Sequence, residues 1–127
     1  PELRALAAEL GIQDSVHFPG ARRDTPALYG AMDVFAMPSR YEGLSMALLE
    51  AQAAGLPCVV SDTVSRESDV TGRMDFLPAD HTGPWVECLL RRCAPADRVQ
   101  GIGEAFRRRR LDIHTAVRDL TEIYEGI

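Results

Sequence analysis

Two short apolar runs, Val34-Phe35-Ala36-Met37 and Cys58-Val59-Val60-Ser61, constrain this chain more than any other feature. Neither alternates apolar with polar residues, as a strand with one wet face would, so each predicts a parallel strand covered on both faces. Between them lie a loop of turn formers, Pro38–Ser45, and an alanine-rich helix predicted over Met46–Ala54, stopped by Gly55 with Pro57 just beyond. Parallel neighbours need a long crossover, and this segment supplies one right-handed strand-helix-strand unit.

The remaining pattern extends the same architecture. Leu3, Leu6, Ala7 and Leu10 recur at helical spacing, with Gly11 placed to end the helix. Val16–Phe18 reads as a short strand closed by Pro19-Gly20. Asp24 or Thr25 can cap a brief helix with Pro26 in its first turn and Leu28 and Met32 on its apolar face. Asp75–Leu77 is a fourth, weaker strand candidate. Helices are predicted over Pro84–Cys93 behind Thr82 or Gly83, from about Arg98 to Arg109, and over Ile113–Tyr124 with Ile113, Val117, Leu120 and Tyr124 on one face. Strands alternating with helices through short loops indicate an α/β domain with a mostly parallel sheet.

Composition narrows the function classes. The chain has 127 residues, 46% of them hydrophobic and 26% charged, which fits one globular domain. A net charge of −5 leaves no electrostatic footprint for nucleic acid. The four consecutive arginines Arg107–Arg110 read as a solvated helix C-terminus. Cys58, Cys88 and Cys93 lack zinc-site spacing, and a reducing cytoplasm is their simplest home. His17, His81 and His114 are scattered, so no metal site is expected. No apolar stretch approaches the length of a membrane span. Met32, Met37, Met46 and Met74 are expected in the core, and Trp85 and Tyr124 are expected to pack. The chain opens at Pro1 and enters a helical pattern at once, which reads as a cut through a longer protein.

In open parallel sheets ligands sit at the carboxyl ends of the strands, so the loops after Phe18, Met37 and Ser61 belong together. The middle one is the informative loop. Pro38-Ser39-Arg40-Tyr41-Glu42-Gly43-Leu44-Ser45 leads into a helix whose N-terminus offers backbone N–H groups and partial positive charge to phosphate oxygens. Gly43 would let a ligand approach the backbone closely. Glu42 before the helix and Glu50 within it place two carboxylates near one crevice, where each can accept hydrogen bonds from a diol. Phosphate in the middle with a diol on each side describes a sugar nucleotide.

Pro38-Ser39, Glu42-Gly43, seven residues to Glu50, and then Ala51-Gln52-Ala53-Ala54-Gly55-Leu56-Pro57-Cys58-Val59 together resemble the Glu-x7-Glu region of retaining glycosyltransferases of the GT-B fold, group 1 or family 4 type. Val16–Gly20 resembles the strand and glycine before the base-binding loop of that family. Pro1–Asp62 is covered densely. Downstream, Ser61-Asp62-Thr63, Glu67 and the Trp85 helix resemble, more loosely, bacterial members that build capsular or exopolysaccharides. The resemblance implies a Rossmann-like parallel sheet with flanking helices, the C-terminal half of a GT-B protein. It implies contact of Glu42 with the donor sugar near the reacting centre, as the catalytic residue of this half, and of Glu50 with the ribose hydroxyls. It further implies that the backbone of Gly43, Leu44 and Ser45 holds sugar and phosphate oxygens, that Gly20, Ala21 and Arg22 lie against the base, and that no metal or other cofactor is required.

The family's domain begins with two strands that have no counterpart here, and an Arg and a Lys after the first of them clamp the diphosphate; this chain has no lysine. Residues 1–127 are therefore expected to be a partial donor-binding domain, inactive alone, its acceptor side supplied by an absent N-terminal domain. The absent strands would lie between Val16–Phe18 and Val34–Met37. A rearranged sheet, limited stability, or self-association with a second copy through an exposed sheet edge is expected to follow. The partners implied are a nucleotide-sugar donor and a glycan or lipid-linked acceptor, at a cytoplasmic location peripheral to the inner membrane. Two alternatives stand beside this reading: a nucleotide-sugar epimerase on the same fold, which the Glu42 to Glu50 spacing disfavours, and a non-catalytic α/β binding or interaction module.

Overall fold

A computed structural model describes residues 2–93 and 98–126. The element order is α1 (Glu2–Glu9), α2 (Thr25–Ala31), β1 (Phe35–Met37), α3 (Met46–Ala53), β2 (Cys58–Ser61), a 3-10 turn (Arg66–Ser68), β3 (Met74–Leu77), α4 (Thr82–Arg92), α5 (Ile102–Arg108) and α6 (Ile113–Glu125). The three strands form one parallel sheet in the order β1-β2-β3, with Phe35 opposite Cys58 and Cys58 opposite Met74. The chain is thus α/β with a parallel sheet flanked by helices, as expected.

All four residues of β2 are buried, and their alternation divides the core between two layers. Cys58 and Val60 join Tyr29, Met37, Leu48, Ala51, Leu56 and Val64 on the α3 side. Val59 points the other way, to Trp85 and Cys88 of α4. Each fully buried aliphatic side chain of this kind contributes roughly 1.5–3 kcal/mol. The Trp85 indole N–H donates to the Pro78 carbonyl at 2.8 Å, so its one polar atom is satisfied. Burial pushes the Cys58 thiol up to about 12, with the charge of Asp69 adding to the shift. It remains a protonated core residue.

Two polar side chains tie the layers together. Gln52, completely buried on α3, donates from Nε2 to the Ser68 carbonyl at 2.8 Å, and its Oε1 accepts from the backbone N–H groups of Val70 at 2.9 Å and Thr71 at 3.3 Å. It thereby fastens the segment before β3 to the crossover helix. Arg98 closes two helix C-termini at once. Its guanidinium donates to Ala54 O at 2.8 Å beyond α3, and to Gly30 O at 2.9 Å and Met32 O at 2.7 Å at the end of α2. A cation suits these carbonyls because they carry the negative ends of both helix dipoles. Gly55 lies between the two, with φ of +79° and Val99 N–H donating to its carbonyl at 2.9 Å. A Cβ there would come within 3.1 Å of Ile102 Cδ1.

Four expectations require correction. Val16–Phe18 is not a strand: none of the three described strands pairs with it. Phe18 is instead held by Arg4, whose guanidinium stacks 4.7 Å over its ring. Helix α5 starts at Ile102 rather than Arg98, because Arg98 is drawn away to cap α2 and α3; residues 94–97 lie outside those described. Met46 is 65% exposed in the first turn of α3, on the side away from the sheet, and is not core. Tyr124 is 87% exposed, since the apolar face of α6 has little to pack on among the described residues. Trp85 is buried as expected.

Gln52→Ala should strand several buried backbone groups and cost about 2–4 kcal/mol, read as a drop in the urea midpoint. A second expectation concerns acid. Partial burial pushes the Asp75 carboxyl up, but the Arg92 hydrogen bond at 2.7 Å, the Arg92 charge, the Cys88 thiol and the Arg91 charge outweigh it and hold the group below its ordinary 3.8. A carboxyl lowered in the folded state stabilises fully above its unfolded value and loses that contribution as pH falls through its folded one. The stability gap between wild type and Asp75→Asn should hold from pH 7 to 5 and close below about pH 4.

Candidate functional site

The loops leaving β1 and β2 meet at the carboxyl end of the sheet. The Thr63 hydroxyl donates to the Ser39 carbonyl at 3.0 Å, joining the two loops. Ser39 Oγ lies 3.5 Å from Glu42 Oε1, and Glu42 is half-buried. Ser45 is the N-cap of α3, with extended backbone, and its side chain accepts no cap hydrogen bond. The helix therefore begins at the mouth of the sheet without a side chain closing its first turn. Gly43 has no positive φ, and a Cβ added there would meet nothing within 4 Å. Neither backbone conformation nor packing within the chain calls for glycine at that position.

Glu50 is exposed on the second turn of α3 and faces a cleft of about 470 Å³ lined by Thr25, Pro26, Tyr29, Glu50, Ala53 and Ala54. The Tyr29 hydroxyl donates to Glu50 Oε2 at 3.1 Å and is 3.3 Å from the Ala47 carbonyl. Burial and then the Glu50 contact push the Tyr29 phenol above its ordinary 10, so it stays a proton donor across the neutral range. Gly43 and Leu44 open onto a different cleft, of about 510 Å³, shared with Ser65, Glu67, Ser68, Arg109 and Leu111. Gly43 and Leu44, next to Glu42, thus look into a different cleft from Glu50, and Glu42 itself lines neither.

Gly20, Ala21 and Arg22 are exposed and do not line the Glu50 cleft. Gly20 has φ of +69°, the left-handed conformation that glycine tolerates. Arg22 donates from Nε to Asp24 at 2.7 Å and pairs with the same carboxylate through Nη2. That pairing also explains why Asp24, at the N-cap of α2, makes no side-chain cap bond. Among the described residues no three His, Cys, Asp or Glu side chains gather in a way that could hold a metal, and no helix is long and apolar enough to cross a membrane. Tyr29 is the site residue that sequence reading overlooked; a tyrosine on an apolar helix face looks like core, and only its oxygen reaches the site.

With this geometry in view, residues 1–92 match the family described as Glycosyl transferases group 1. The chain belongs to the group 1 glycosyl transferases. It is 34% identical over 125 residues to the D-inositol 3-phosphate glycosyltransferase of Salinispora tropica, a match covering 94% of the chain and 26% of that protein. It is 54% identical over 74 residues to the Escherichia coli UDP-Gal:alpha-D-GlcNAc-diphosphoundecaprenol alpha-1,3-galactosyltransferase, covering 57% of the chain and 19% of that protein. Similarity to the Rhizobium meliloti lipopolysaccharide core biosynthesis mannosyltransferase LpsB reaches 38% over 71 residues, 56% of the chain and 20% of that protein. The chain spans about a quarter of the length of the first curated relatives it matches. No solved structure matches.

The tie between the two loops can be tested directly. Thr63→Val should cost about 1 kcal/mol of local stability and speed tryptic cleavage after Arg40 about fivefold, while Thr63→Ser should restore the wild-type rate.

Proposed function

We propose that this chain is the nucleotide-sugar-binding part of a retaining glycosyltransferase, moving a hexose from a nucleotide diphosphate sugar to a glycan or lipid-linked acceptor. In this reading residues 1–127 are a partial donor-binding domain without its first two strands, and catalysis needs the acceptor domain as well. The names of the relatives support the class: one transfers galactose from a UDP donor to a diphosphoundecaprenol acceptor, and another is a mannosyltransferase of lipopolysaccharide core biosynthesis.

The observation that carries the reading is the layout of α3. At its N-terminus the first turn is free of a side-chain cap, and beside Gly43 just before it no described residue lies within 4 Å of where a Cβ would stand. Five residues beyond the N-cap, about 7.5 Å along the axis, the Glu50 carboxylate stands exposed in its own cleft. A diphosphate at the helix terminus then puts a ribose within reach of Glu50, whose oxygens accept from its hydroxyls. The donor sugar lies toward Glu42, where Gly43, Leu44 and Ser45 supply backbone donors to its oxygens and to phosphate. The helix terminus, together with clamp cations that the first two strands of such a domain would supply, neutralises the diphosphate without a metal. The base lies toward Gly20, Ala21 and Arg22, and reaching it requires Arg22 to exchange its Asp24 partner. We place the protein in the cytoplasm, at the inner face of the membrane where a lipid-linked acceptor would be met.

Calorimetry with UDP, GDP and ADP should find one that binds. Glu50→Ala should weaken it by about 1–3 kcal/mol, and Gly43→Ala should weaken it with little change in thermal stability. A folded gene product that binds none of the three would overturn the donor-site reading.

A further inference from the structure

Glu50 is an exposed glutamate on a helix surface, and such a side chain ordinarily samples many rotamers. Here it does not stand alone. Tyr29 is only 9% exposed, its ring packed edge-on against Phe35 with centroids 6.1 Å apart, and its hydroxyl is the part that reaches Glu50. The bond to Oε2 at 3.1 Å engages one oxygen of a carboxylate that lines the cleft, and an ionised carboxylate keeps further acceptor sites beyond that bond. Tyr29 is itself held from behind. Arg98 donates to the carbonyls of Tyr29 at 3.3 Å, Gly30 at 2.9 Å and Met32 at 2.7 Å, pinning the end of α2 to the end of α3. Its fourth bond, to Ala54 O at 2.8 Å, is made at the C-terminus of the helix that carries Glu50. Three residues far apart in sequence, Tyr29, Glu50 and Arg98, thus form one hydrogen-bonded frame around a single carboxylate.

We propose that Tyr29 is a positioning residue that presents Glu50 to the paired 2′ and 3′ hydroxyls of a ribonucleotide, with Arg98 keeping α2 at the distance this requires. The proposal rests on the reading of Glu50 as the ribose contact and adds how that contact is made selective. A carboxylate with one oxygen already engaged offers a fixed pair of acceptor directions, which matches a vicinal diol better than a lone hydroxyl. Selectivity for ribose over a dideoxyribose should therefore depend on the Tyr29 oxygen, although that oxygen touches no ligand.

The test compares UDP, GDP and ADP with their 2′,3′-dideoxy counterparts by calorimetry on the gene product that carries these residues. Wild type should prefer one ribonucleotide over its dideoxy form by about tenfold or more. Tyr29→Phe should cut that preference roughly threefold to tenfold while leaving dideoxy affinity unchanged. Glu50→Ala should abolish the preference, and adding Tyr29→Phe to it should change nothing further. A Tyr29→Phe protein that keeps the wild-type preference, or that loses both affinities equally, overturns the positioning role while leaving Glu50 as the ribose contact. Absence of any preference in wild type removes the Glu50 reading and the inference with it. A second measurement needs no substitution at Tyr29: with fluorotyrosine incorporated, the fluorine resonance assigned to Tyr29 by its loss in Tyr29→Phe should shift more with ribonucleotide than with dideoxynucleotide. Equal shifts would also overturn the proposal.

Discussion

A strand removed from water along its whole length must pass its side chains alternately to two separate apolar layers, and β2 sets that requirement for this chain. Cys58 and Val60 face the α3 layer and Val59 the α4 layer, so both helices have to pack on the sheet before β2 is dry. Parallel pairing with β1 and β3 then follows from the crossovers that carry those helices. The N-terminus of α3 arrives at the carboxyl end of the sheet for the same reason, because a helix returning antiparallel to the strands must start where β1 ends.

Apolar burial places the layers but does not fix their ends. That task falls to two long polar side chains working in opposite electrostatic settings. Gln52 is neutral and wholly buried, and it satisfies backbone donors and acceptors of the segment entering β3 without bringing a charge into the core. Arg98 is charged and works at the boundary, where helix C-termini expose carbonyls that a cation complements. Between them they lock both neighbours of α3, one beside β3 and the other at the end of α2. The helix that bears Glu50 is accordingly anchored on both sides, which suits a side chain whose proposed task is geometric.

The split between two clefts bears on how a member of this family would distribute its ligand. Glu50 and Tyr29 share one opening, while Gly43 and Leu44 face another that contains Glu67 and Arg109. A ligand straddling the N-terminus of α3 would place different chemical parts in each, with the helix terminus between them. The apolar side chains of Tyr41, Leu44 and Met46 are exposed around that terminus. Their exposure marks the loop after β1 as a surface where ligand or protein contact would remove apolar area from water.

The unbroken apolar runs, the alanine-rich crossover and the Gly55 stop were legible in the sequence, and so were β1, α3 and β2 to within a residue at their ends. The Glu42 to Glu50 segment was legible as well, because its signal is local spacing next to a helix start. The strand expected at Val16–Phe18 was not, because a strand exists only when a neighbouring edge accepts its hydrogen bonds, and composition carries no information about that edge. The roles of Tyr29, Gln52 and Arg98 were equally hidden, since each depends on atoms 16 to 69 residues away along the chain. Sequence by itself determined the class of fold and the placing of the Glu42 to Glu50 segment at the start of α3, because these follow from periodicity and short-range order. Tertiary structure alone decided which side chains hold that segment still, because hydrogen bonds are directional and of short range, and only the packed layers bring distant donors and acceptors within 3 Å or so of one another.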